Sequence, residues 1–144
     1  MQVQTGIHVA AFALLLAASV LDIKKREIAG WMMAGAAALS VTACILQWKE
    51  VAASEMALSV LPGVVLILFA VLFRGSFGMG DGIFAACLGP VFGVAQMASG
   101  IFFALLFGAM AGIALIVSRK GSRKSTLPFV PLLTLGMGVT QLVS

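Results

Sequence analysis

Very few side chains in this sequence can move a proton, and two of them are aspartates in suggestive places. Asp22 ends the apolar run Ile7–Ile23, just ahead of Lys24, Lys25 and Arg26, and Asp81 follows the glycine-rich stretch Gly75–Gly80 and opens another apolar run. Two carboxylates in close contact cannot both ionise cheaply, so such a pair shares a proton and titrates as a unit. The ionised member can take a proton from water, while the protonated member polarises a carbonyl and helps an amine leave. That is peptide-bond hydrolysis with no metal and no covalent intermediate.

The bland readings of these residues differ in strength. Asp81 precedes a helix, where a carboxylate can serve as an N-cap, and for that residue alone the two readings are about even. Asp22 lies near a helix C-terminus, where the macrodipole disfavours negative charge. Lys25 and Arg26 offset this if the helix continues outward. Ionisable residues beside membrane-spanning segments are functional by default. The remaining candidates are poor. His8 is the sole histidine and sits at the far end of the first apolar run, and no serine on the cytoplasmic face is joined to a basic partner in a recognisable catalytic arrangement. Cys44 and Cys87 each stand alone in an apolar run and read as packing residues, so neither a metal site nor a cofactor is expected.

The elements that must position the aspartates follow from composition. The chain is 62% hydrophobic and 10% charged over 144 residues, against roughly 25% charged in soluble domains. Its apolar runs are Ile7–Ile23, Ile28–Trp48, Met56–Phe73, Gly82–Ser118 and Leu127–Val143. The fourth would reach roughly 55 Å as a single helix, nearly twice the hydrocarbon core, so it must fold back. The interruption by Gln96, Ser99 and Gly100 places that turn at 96–100. The expectation is an all-α polytopic membrane protein, a bundle of about six transmembrane helices forming one domain over residues 1–144. The first run lacks the basic segment that precedes a signal peptide's apolar core and reads as a retained helix. Trp31 and Trp48 read as interfacial anchors.

Six crossings put Lys24, Lys25, Arg26, Arg74, Arg119, Lys120, Arg123 and Lys124 on one side and Lys49 on the other. The positive-inside rule then predicts that both termini are extracytoplasmic and that both aspartates lie at the cytoplasmic face. The net charge of +4 is accounted for by orientation and by anionic membrane lipids rather than by nucleic acid.

Around the second aspartate the sequence reads Phe77-Gly78-Met79-Gly80-Asp81-Gly82. Glycines there permit unusual backbone angles and close approach of another chain. Taken with Asp22-Ile23-Lys24-Lys25-Arg26-Glu27-Ile28 and Leu127-Pro128-Phe129-Val130-Pro131, this segment resembles the prepilin peptidases, the bacterial GxGD class of membrane aspartyl protease. The likeness covers essentially the whole chain. It implies that Asp22 and Asp81 are catalytic, with Gly78 and Gly80 in the active-site loop. It also implies a prepilin or prepilin-like substrate, cut after a glycine that ends a basic leader, in a bacterial cytoplasmic membrane. Two positions depart from the family pattern: Ala29-Gly30 stands where Pro-Asn is frequent, and Ile83 where lysine is frequent. The insertion with paired CxxC motifs that accompanies N-methyltransferase activity in larger relatives is missing, so cleavage without methylation is expected. The compact form resembles the peptidases of tight-adherence (Flp-type) pilus systems. Two other classes stay open on the residues alone. One is a small transporter or channel subunit binding a cation or protons at Asp22 and Asp81; the other is a non-catalytic prepilin-binding relative.

Overall fold

The computed structural model describes residues 2–25, 28–73, 78–119 and 127–144, and all six of its elements are α-helices. They are α1 (Gln2–Lys25), α2 (Gly30–Gln47), α3 (Ala53–Leu72), α4 (Met79–Phe92), α5 (Val94–Val117) and α6 (Phe129–Val143). Apolar runs of this kind have one economical backbone solution in lipid, because a helix satisfies every N–H and C=O within the segment. The fold is thus that of an all-α polytopic membrane protein. Large apolar side chains such as Leu16, Leu72, Phe102, Met110 and Ile113 face outward, as a lipid-facing perimeter requires.

Only α1, α2, α3 and α5 are long and apolar enough to cross a membrane. At 1.5 Å per residue, α4 and α6 extend roughly 21 and 22 Å, short of the ~30 Å hydrocarbon core. The six helices expected from the sequence are present, four of them long and two short. The short ones do not need to reach as far, because neighbours shelter them. α4 packs against α1, α2, α3 and α5, and α6 packs between α1 and α5. More than half of α4 is buried, including Phe84, Leu88 and Val91, and it forms the axis of a core completed by Leu15, Met32, Met97, Leu133 and Met137.

The fold-back within the long apolar run occurs at Gly93, not at 96–100. Gly93 adopts φ 83° and ψ 163°, a region open essentially to glycine alone. One residue suffices for the break. Its N–H closes α4 on the Gly89 carbonyl at 2.8 Å, and its own carbonyl accepts the Met97 N–H at 3.0 Å to open α5. Of the residues that suggested a turn, Ser99 bonds the Ala95 carbonyl within α5, and Gln96 and Gly100 serve the α5–α6 contact. The Gln141 amide donates to Gln96 at 3.3 Å, and Gly100 lies against Met137 and Gly136. Space around Gly93 is open, so Gly93→Ala meets no clash and its penalty is purely conformational, about 1–3 kcal/mol. A lowered melting temperature in detergent is the expected result.

The C-terminal end of α4 is tied to α1. His8 Nε2 donates to the Val91 carbonyl at 2.9 Å, and Phe92 packs on the His8 ring and edge-on to Phe12. This satisfies one of the carbonyls that a helix end leaves without an intrahelical partner. His8→Ala should therefore lower stability by about 1 kcal/mol, read as a modest fall in the same melting experiment.

Candidate active site

α1 delivers Asp22 to the interior by continuing a stripe. Ile7, Ala11, Leu15, Ala18 and Asp22 are all buried and recur at the three- and four-residue spacing of one helix face. Asp22 is only 6% exposed. Helix α1 runs on to Lys25, with Lys24 and Lys25 in its last turn, so Asp22 lies within the helix and Lys25 follows it by three residues. Arg26 falls outside the described residues.

The charge is compensated chiefly by another helix. The Val130 N–H donates to Asp22 Oδ2 at 3.3 Å. Val130 is the second residue of α6, after Pro128 at the N-cap and Phe129. First-turn amides have no intrahelical acceptor, and the N-terminal end of a helix carries partial positive charge. The segment Pro128-Phe129-Val130-Pro131 thus places an anion-accepting helix start against Asp22. The unfavourable dipole end of α1 is answered by the favourable end of α6.

Asp81 occupies the first turn of α4, but it is not the N-cap. That position belongs to Gly78, which has no side chain to cap with, and the Asp81 N–H closes the first turn on the Gly78 carbonyl at 3.1 Å. The Asp81 carboxylate folds back to accept from the Gly78 backbone, the second half of a capping-box exchange. A Cβ built on Gly78 would lie 3.2 Å from Asp81 Oδ2, so a side chain there would press the carboxylate back by a few tenths of an ångström. Gly78 itself has φ −73° and ψ 135°, and among the described residues Gly93 is the one glycine with positive φ. The expectation of unusual backbone angles beside Asp81 is therefore not met at Gly78. Gly80 is helical and its nearest neighbour is Ile28, at 4.0 Å from a built Cβ. Ile83 lies on the exposed side of α4.

These placements bring the two aspartates to the same end of the bundle, where Asp81 senses the charge of Asp22. Each carboxylate sits at a helix N-terminus, Asp22 at that of α6 and Asp81 at that of α4. Two positive dipole ends are what allow two acids to be neighbours in a poorly solvated place. Lys24, Lys25 and Arg119 lie at this end, and Lys49 lies at the other. Arg26, Arg74, Lys120, Arg123 and Lys124, and the connection 74–77, lie outside the described residues. His8 is at the far end of α4 from Asp81, remote from both acids. Cys44 and Cys87 are free and half-buried in separate helices. Among the described residues no cluster of His, Cys, Asp or Glu could hold a metal. What the sequence left unseen was a backbone group, the Val130 amide. Its only trace was the paired prolines that mark a helix start.

Chemically, two acids at one end of the bundle, each accepting a backbone amide, are the kind of pair that can divide the roles of base and acid for water attacking a carbonyl. Comparison with known proteins points to a family of peptidases. A model of the type IV leader peptidase family matches residues 9–115, a stretch that contains both Asp22 and Asp81. The prepilin leader peptidase/N-methyltransferase of Bacillus subtilis is 34% identical over 71 residues, covering 49% of this chain and 29% of that protein. The chain therefore spans well under two thirds of that relative's length. No solved structure matches the chain. With most of its length matched by the family model and both acids inside the matched stretch, the chain belongs to the type IV leader peptidase family.

Proposed function

We propose that this protein is an aspartic endopeptidase that removes the leader from a prepilin or prepilin-like substrate, using Asp22 and Asp81 as its catalytic dyad. The observation that carries this reading is the convergence of the two carboxylates at one end of the bundle, Asp22 held by the Val130 amide and Asp81 within reach of its charge. The pair holds one proton. The ionised carboxylate takes a proton from water as the water oxygen bonds to the scissile carbonyl carbon. The protonated carboxyl donates to the carbonyl oxygen. Collapse of the tetrahedral adduct breaks the C–N bond, and a proton passes to the departing amine, leaving one new carboxyl and one new amino terminus.

The substrate side of the proposal rests on the family and on physics. A prepilin is itself a membrane-inserted helix with a basic leader, and a dyad at the membrane boundary needs only its lateral approach. Local extension at the glycine after which the leader is cut then exposes the bond, with Gly78 and Gly80 giving room for the strand. The basic residues at the aspartate end favour the cytoplasmic face of a bacterial inner membrane, both chain termini lying on the other side. Their partners there are anionic lipid headgroups. The sequence holds no paired-cysteine insertion, so cleavage proceeds without N-methylation, and the compact layout fits a tight-adherence (Flp-type) system.

Purified protein in detergent or lipid, incubated with candidate prepilins, tests this directly. Leader release is read by mass spectrometry, which also shows whether the new amino terminus is methylated. No cleavage of any type IV or Flp-type prepilin, combined with cation or proton flux in liposomes, would overturn the reading in favour of transport. Stable prepilin binding without cleavage would replace it with a non-catalytic adaptor.

A further inference from the structure

One turn deeper in the bundle than Asp22, a second polar contact crosses from α1 to α6. Ser19 Oγ and Thr134 Oγ1 are 2.6 Å apart. Ser19 is buried and Thr134 half-buried, in a region otherwise lined by Leu15, Val130 and Leu133. Ser19 Oγ also lies 2.8 Å from the Leu15 carbonyl. Thr134 Oγ1 lies 2.9 Å from the Val130 carbonyl and 3.4 Å from that of Leu15.

Each hydroxyl has one proton to give, which leaves two self-consistent arrangements for the short contact. Ser19 donates to Leu15 and receives from Thr134, or Thr134 donates to Val130 and receives from Ser19. Both keep a hydrogen bond across the two helices. Either way the contact pins α1 and α6 in one axial and rotational register.

The register matters because of what lies next along each helix. Asp22 is three residues beyond Ser19 on α1, and Val130 is four residues before Thr134 on the antiparallel α6. The Ser19–Thr134 and Val130–Asp22 bonds are thus successive rungs between the same two helices, roughly one turn apart. The upper rung is long, at 3.3 Å, and has little distance to spare before it ceases to be a hydrogen bond. A slide or rotation of α6 by an ångström would lose it. Apolar packing alone defines such a register poorly, since lipid-embedded helices gain nothing from hydrophobic burial against each other.

We propose that Ser19 and Thr134 are positioning residues for the reaction: their hydroxyl clamp sets the α6 start so that its amide meets Asp22 and holds that carboxylate in its working orientation. The proposal rests on Asp22 being catalytic. Neither hydroxyl touches substrate, and both act through the register of α6.

The test uses the full-length protein in detergent with a cleavable prepilin. Thr134→Val keeps shape and removes the hydroxyl, Ser19→Ala removes the other half with little loss of volume, and Thr134→Ser keeps the hydroxyl. Displacing a catalytic group slightly slows the chemical step more than it weakens binding, so both hydroxyl-free variants should lose about tenfold or more in kcat. Their KM should be nearly unchanged, and Thr134→Ser should retain most of the rate. Rates are taken per folded molecule, by size-exclusion profile and melting curve. Wild-type kcat in folded Thr134→Val or Ser19→Ala overturns the proposal. So does a Thr134→Ser variant as impaired as Thr134→Val, or a loss of activity that only tracks the folded fraction. Asp22→Asn run in parallel separates the two failures: if it still cleaves, the catalytic reading fails; if it does not while Thr134→Val is normal, only the clamp fails.

Discussion

Asparagine in place of either Asp22 or Asp81 is expected to reduce prepilin cleavage by about 10³-fold or more, since each supplies half of one acid–base device. The asparagine side chain nearly matches aspartate in shape, and its oxygen can still accept the Val130 amide that now reaches Asp22 Oδ2. Folding should survive. The double variant should be no slower than either single one, as residues that act as a unit lose their effect together. Cleavage of a purified prepilin, with variant levels normalised by melting curve, measures this. Wild-type rates in either single variant would remove the dyad from the mechanism.

The second large effect is expected along the seam where α3 and α4 touch. Gly63 lies against the backbone of Ala86, Gly82 against Ile67, and Gly89 against the Ser59 carbonyl. A Cβ added at Gly63 would fall on the Ala86 backbone and come within 2.6 Å of the Ala86 Cβ, where carbon atoms normally sit about 3.5–4.0 Å apart. No side chain can swing aside, so the helices themselves must part. Alanine gains up to about 1 kcal/mol of helix propensity over glycine, while forced overpacking costs about 1–3 kcal/mol. Because the obstacle is backbone, the clash should win. Gly63→Ala is therefore expected to lower the melting temperature and, by displacing the helix that carries Asp81, to reduce cleavage as well. Gly112→Ala on α5, where a built Cβ meets nothing within 4 Å, is the control and should be neutral or slightly stabilising. Equal melting of the two variants would refute the argument from close helix approach.

Membrane character and helical class could be read without any coordinates, and Asp22 and Asp81 could be singled out as candidates. Runs of bilayer length leave the backbone one solution, and two aspartates in so apolar a sequence are conspicuous. The same uniformity hid the rest. From Val9 to Leu21 on α1 every residue but Ser19 is apolar, so no pattern announces that Ala11, Leu15 and Ala18 face inward while Val9, Leu16 and Val20 face out. Gln96 and Gly100 looked like a turn because a polar residue in a long apolar run suggests an end. They are interior residues of α5 that meet Gln141 and Met137 on α6, and the actual break is the single left-handed residue Gly93.

By itself the sequence determined that the chain enters a membrane as helices, and that its acids stand where apolar runs end. Those properties depend on local composition, and transfer from water to lipid is nearly additive along a chain. Only the tertiary structure decided that the C-terminal end of α1 meets the N-terminal ends of α4 and α6, so that both aspartates lie at one end of the bundle and Asp22 finds the Val130 amide. That choice is made by contacts between distant segments: glycines where helices touch and hydroxyls that bridge them. Lipid-embedded helices, lacking a hydrophobic force that would favour one pairing, leave no periodic signature of it in the sequence.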